Sequence, residues 1–172
     1  MSLLDGTNIT ENESARSKKK HLIFSLSDKR YAFPLSRVKE VIGLTNITPL
    51  PKVPPFYKGL INLRGQIISV IDLRIKLGFQ SLDVNSQKTS IIISHVGDIV
   101  VGSIVDEVLE VVGYDDSELE INLEDTSNRK GDGVYGIAKH HDGELTLLID
   151  LHRSMNRTDF KVLKDQGQGG AA

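Results

Sequence analysis

The sequence predicts an all-β protein made of two barrel-like halves that share one hydrophobic core. Three observations carry that expectation. First, short apolar runs bounded by turn residues show the two-residue period of a strand, as at Leu22, Phe24 and Leu26. Second, aliphatic residues are nearly continuous over 89–112, apart from the Gly97-Asp98 turn. Such a run needs cover on both faces, which places it inside a closed sheet or where two sheets meet. Third, residues 21–80 and 88–155 follow one plan: Val-Lys-Glu-Val-Ile-Gly at 38–43 resembles Val-Leu-Glu-Val-Val-Gly at 108–113, and Gly59, Gly65 and Asp72-Leu73 are echoed by Gly136, Gly143 and Asp150-Leu151. A unit of roughly 65 residues is too long for a solenoid repeat and suits a small barrel of about five short strands. Closing each sheet also removes exposed edges.

Taken in order, residues 1–20 are polar and aperiodic and read as a mobile tail. A hairpin follows, with Ser27-Asp28-Lys29-Arg30 as its turn and Pro34 at its end, because proline donates no ladder hydrogen bond. Ser36 suits a short helical turn carrying Arg37, Val38 and Lys39, and strand resumes over 41–48. The proline-rich stretch 49–55 is a stiff connector. Two apolar strands over 59–74 are then broken by one polar corner at Arg64-Gly65, where glycine tolerates positive φ and leaves the guanidinium at a strand end. Asp72 can cap a short turn that Gly78 closes. A polar linker at 81–88 leads to strands over 89–96 and 99–112, joined at Gly97-Asp98. The acidic stretch 113–133 reads as a surface loop with at most one short helical turn, and its carboxylate spacing does not match a calcium loop. Strand returns over 134–151, then a short terminal helix over 151–157 and a flexible tail over 158–172. The expected subdomains are about 21–80 and 88–150 of a single domain, 21–155.

Composition narrows the function. The chain of 172 residues carries a formal net charge of −2, only 5% aromatic residues and no cysteine. There is no basic stripe or stacking platform for nucleic acid, no disulfide framework and no thiolate metal site. The polar N-terminus and the lack of an apolar run approaching ~18 residues point to a cytoplasmic protein. Histidines 21, 95, 140, 141 and 152 stand in no zinc or nucleophile spacing, and neither a phosphate loop nor a serine elbow occurs. A polar hairpin turn is the simplest reading of His140-His141-Asp142. A β-barrel hydrolase or metal-dependent enzyme using His140, His141 and Asp150 is the remote alternative. No catalytic residue, metal or cofactor is expected.

Four segments in order resemble the CheW family of bacterial chemotaxis coupling proteins. They are Val38 to Gly43; Gly59-Leu60-Ile61-Asn62-Leu63-Arg64-Gly65 running into Val70-Ile71-Asp72-Leu73; Val101-Gly102-Ser103-Ile104-Val105-Asp106-Glu107-Val108; and Tyr135-Gly136-Ile137 with Leu148-Ile149-Asp150-Leu151. The resemblance covers about 21–155 and implies two five-stranded SH3-like barrels. It implies a non-catalytic scaffold with two partners, the regulatory domain of a CheA-type histidine kinase and the cytoplasmic tip of methyl-accepting chemoreceptors, so that the membrane is reached only through receptors. A similar adaptor of a pilus-type or other non-flagellar pathway fits the same motifs. By motif, Glu40 and Arg64 would form an ion pair beside a receptor groove lined by Val105, Val108 and Val111, with Gly102 allowing close approach. Val38 and Gly59 would lie nearer the kinase contact.

Overall fold

In a computed structural model that describes residues 18–80, 87–121 and 133–168, eleven strands form two sheets. The strands are β1 (Lys19–Leu26), β2 (Lys29–Pro34), β3 (Val38–Gly43), β4 (Tyr57–Leu63), β5 (Gln66–Asp72), β6 (Ser90–Val96), β7 (Ile99–Val105), β8 (Glu107–Tyr114), β9 (Leu119–Ile121), β10 (Val134–Lys139) and β11 (Leu145–Ile149). Three helices follow in the same order, α1 (Leu73–Lys76), α2 (Leu151–Ser154) and α3 (Arg157–Gln168).

The five-stranded sheet has the order β3-β6-β7-β5-β4, and the six-stranded sheet has the order β8-β1-β2-β11-β10-β9. This corrects the expected subdomain boundaries. Residues 21–80 do not close a sheet of their own: the N-terminal hairpin β1-β2 belongs with β8 to β11, whereas β6 and β7 complete the sheet begun by β3, β4 and β5. The repeat is nevertheless real. Replacing β3, β6, β7, β5 and β4 by β8, β1, β2, β11 and β10 reproduces the strand order, including the parallel pairs β5 with β7 and β11 with β2. The second unit is therefore closed by strands from the start of the chain. Its sixth strand, β9, falls in the acidic stretch expected to be a loop.

Side-chain alternation divides the core into three parts. Ile91, Ile93 and Ile104 fill the interior of the five-stranded unit, and Ile23, Ala32 and Leu148 that of the six-stranded unit. Phe24, Phe33, Ile92, Val101 and Val105 meet between the sheets. The aliphatic run is continuous because its strands are covered on both faces. The run breaks at Asp106, where the chain leaves β7 in one sheet and enters β8 in the other. The expected single strand over 99–112 is thus two.

Further differences are local. The turn after Pro34 spans only Leu35–Arg37, and strand starts at Val38. The expected tail over 158–172 is a helix as far as Gln168, with Leu163 only 2% exposed and Ser69 Oγ donating to the Leu163 carbonyl at 3.2 Å. Asn156 and Asp159 start it by exchanging side-chain to backbone hydrogen bonds, and Asp159 also holds Lys76 at 2.7 Å. Most of the expected N-terminal tail, residues 1–17, lies outside the described residues, as do 81–86 of the expected linker and 122–132 of the acidic stretch.

Candidate functional site

The polar corner is a two-residue hairpin in which Arg64 and Gly65 both have positive φ, +51° and +85°, between the paired residues Leu63 and Gln66. Two consecutive positive φ values match the right-handed twist of the flanking strands. Glycine accepts that geometry freely, whereas an L-residue such as Arg64 is disfavoured there. Asn62 Oδ1 accepts a hydrogen bond from the Gly65 amide at 2.9 Å and secures the turn. The Arg64 side chain is 76% exposed, and its two terminal nitrogens donate to the two Glu40 oxygens at 2.9 and 3.1 Å. Glu40 lies beside a bulge in β3, one edge of the five-stranded sheet, and the corner belongs to the hairpin of the opposite edge, β4. The predicted ion pair is formed, and it joins the two edges with a planar, solvent-facing cation.

The other predicted site residues divide by burial. Val111 on β8 is 51% exposed and offers apolar surface, and Val108 is partly buried against the central core. Val105 is fully buried in that core. Gly102 is buried too: a Cβ there would lie 2.9 Å from Ile91 Cγ2 and 3.3 Å from Val70 Cγ2. Neither Val105 nor Gly102 presents a surface to a partner, which corrects their expected place along a groove; both maintain the packing beneath it. Val38 is half-buried against the central core, and Gly59 lies inside a bulge where a Cβ would come 2.1 Å from the Thr48 carbonyl oxygen.

Two buried or half-buried arginines were not picked out from the sequence; the Arg74 network joins the two units, and Arg30 ties strands within the six-stranded one. Arg74, 3% exposed, donates to Asp72 from Nε at 3.2 Å and Nη2 at 3.1 Å, and its Nη1 is paired with Asp106 at 3.2 Å. Asp106 Oδ2 accepts from the Ser27 amide at 2.8 Å, so this network ties α1 to the β1-β2 turn across the sheet boundary. Burial opposes the charge of Arg74, but the two carboxylates outweigh it and hold the guanidinium above its ordinary pKa. Arg30 is held in the same way between Glu110 at 2.7 Å and Glu144 at 2.9 Å. The Asp106 signal was present in the Val-Asp-Glu-Val motif; Arg74 was not readable, since two residues of separation from Asp72 say nothing about burial.

His140 and His141 follow the end of β10, so their rings do not alternate across a strand but stand edge to face at 5.9 Å. His140 lies 3.2 Å from Asp142, His141 lies 3.6 Å from Glu118, and Asp150 caps α2 by accepting from the His152 amide at 2.9 Å. No group of three or more His, Cys, Asp or Glu side chains suited to a metal occurs among the described residues. No helix there is long and apolar enough to cross a membrane.

Comparison with known proteins agrees with this architecture. The family model described as a CheW-like domain matches residues 20–159. The chemotaxis protein CheW of Thermotoga maritima is 34% identical over 141 residues, covering 81% of this chain and 89% of the relative. That of Bacillus subtilis is 32% identical over 142 residues, covering 83% and 90%. The crystal structure of the scaffolding protein TtCheW from Thermoanaerobacter tengcongensis superposes with a TM-score of 0.71 at 37% identity, covering 78% of this chain and 90% of that one. The two units are accordingly SH3-like, and the role is that of a non-catalytic scaffold. The chain belongs to the CheW family of chemotaxis coupling proteins.

Proposed function

We propose that this chain joins the cytoplasmic tips of methyl-accepting chemoreceptors to the regulatory domain of a CheA-type histidine kinase, as a cytoplasmic protein recruited to receptor arrays at the membrane. The observation that carries the receptor half is the Arg64–Glu40 pair, with its exposed guanidinium, between the two edges of the five-stranded sheet. A guanidinium already oriented by a bidentate carboxylate loses little further freedom when it meets a partner's polar groups. On β8, Val111 supplies apolar area, and Val108 supports the strand from below. Val38 and Gly59 set the course of β3 and β4 on the side assigned to the kinase. In this reading Gly59, Gly102 and Val105 act by shaping the strands rather than by touching a partner.

The test is a pull-down of the purified chain with a receptor-tip fragment and, separately, with the kinase regulatory domain. Both should be retained, and Arg64→Ala should lose the receptor fragment while keeping the kinase domain. Failure of the unmodified chain to retain either partner overturns the proposal. A pilus-type or other non-flagellar pathway would use the same two contacts and differ in which receptors supply the tip.

A further inference from the structure

A cavity of about 140 Å³ lies where the two sheets meet, and it contains none of the residues assigned above to receptor or kinase. Its apolar wall comes from both units: Phe33 on β2 and Leu151 on α2 from one, Val96 at the end of β6 from the other. A cavity of about 150 Å³ is enough to hold benzene, so this one has room for a single ring or a branched aliphatic group.

Its charged groups are not balanced. Arg37, from the turn after β2, and Arg153, from α2, both line the cavity, against one carboxylate, Asp150. That carboxylate is already engaged, with Oδ1 accepting the His152 amide at 2.9 Å and Oδ2 lying 3.6 Å from Arg153 Nε. Arg153 sits over the Tyr135 ring at 5.8 Å, and Arg37 has no ion-pair partner among the described residues. Guanidinium groups beside an apolar wall favour a carboxylate attached to a hydrocarbon body, since the charge is met by planar donors while the body leaves water.

We infer that this cavity binds a small organic anion, a carboxylate carrying one ring or one branched apolar group. Because its wall is drawn from both units, an occupant stabilises their arrangement by mass action. A side chain of a protein partner is the competing occupant; the cavity's single-ring size and separate lining favour a free small molecule.

The test uses the full-length chain and benzoate as probe, with benzyl alcohol and benzylamine as the neutral and cationic counterparts. Benzoate should give saturable amide shifts at Arg37, Gly97 and Leu151 and raise the thermal midpoint as its concentration rises. Arg37→Ala and Arg153→Ala should each weaken it by about tenfold or more, the scale of losing a charge-assisted hydrogen bond. Arg64→Ala should leave benzoate binding unchanged. The inference is overturned if benzyl alcohol or benzylamine binds as tightly, if the shifts lie elsewhere, if neither arginine variant changes the affinity, or if no saturable binding occurs. It is also overturned if the receptor tip or kinase domain perturbs these amides and benzoate does not.

Discussion

Glu40 and Glu110 occupy the same position in the repeated strand, yet the cations they hold differ in exposure. Glu40 holds Arg64, whose side chain is 76% exposed, whereas Glu110 holds Arg30, whose side chain is 21% exposed and also bonded to Glu144. The duplicated framework therefore keeps a carboxylate at each strand edge and turns its charge to different uses. In the second unit the cation comes from β2 and is largely withdrawn from solvent; in the first it comes from the hairpin corner and faces outward.

The corner predicts a separation of stability from recognition. An exposed ion pair contributes about 0–1 kcal/mol, and an L-residue at positive φ costs about 1–2 kcal/mol relative to the right-handed region. Arg64→Gly should leave urea stability unchanged or slightly raised, and Arg64→Ala should change it by no more than about 1 kcal/mol. Both should lose receptor-tip binding in a pull-down. A large fall in the urea midpoint with normal binding of the folded variant would make Arg64 structural.

The Asp72–Arg74–Asp106 network should behave in the opposite way. Removing one member of a buried pair leaves an uncompensated charge and costs roughly 3–5 kcal/mol. Arg74→Ala should lower stability on that scale, measured by urea unfolding, although it lies outside the proposed binding sites. A change below about 1 kcal/mol would show that water replaces the lost partner and that the network does not tie the units together.

Gly59→Ala and Gly65→Ala distinguish strain from crowding. Both glycines have positive φ, +143° and +85°, but only Gly59 is crowded, with the Thr48 carbonyl oxygen 2.1 Å from a new Cβ; nothing lies within 4 Å of one at Gly65. Gly65→Ala should cost about 1 kcal/mol, and Gly59→Ala roughly 3–5 kcal/mol by adding overpacking to backbone strain. Weakened kinase binding in Gly59→Ala should follow the fraction unfolded across a urea titration. Normal stability with lost kinase binding would instead make Gly59 a direct contact.

These contrasts also mark what could be read in the sequence. The strand period, the corner and the Asp72 cap were legible because period, turn residues and capping chemistry act over a few neighbours. The Arg64–Glu40 pair was reached only through family resemblance, since 24 residues separate its members. The pairing of β1-β2 with β11 was not legible: a duplicated sequence shows which strands are equivalent but is unchanged by a circular shift of which strands close which barrel. Exposure was equally hidden, because Val105 and Val111 are the same residue type on consecutive strands, one inside the core and one facing solvent. Helix α3 had a signal, Asn156 three residues before Asp159 with Phe160 and Leu163 on one face, but the glycine-rich end masked it.

His21 gives a pH dependence whose sign follows from burial. Its ring is 4% exposed, lies 5.6 Å from the Tyr114 ring, and its Nδ1–H donates to the Lys19 carbonyl at 3.0 Å. Burial lowers its pKa below the ordinary value of 6.5, outweighing the backbone hydrogen bond that raises it. The unfolded chain therefore binds the proton more readily than the folded one. The neutral ring's contribution is complete above about pH 6.5 and is lost as pH falls from there through the folded value. Urea midpoints should decline between pH 7.5 and 5, and His21→Asn, which cannot titrate in this range, should decline less steeply even if it starts lower. Parallel curves for the two proteins would assign the acid sensitivity to groups other than His21.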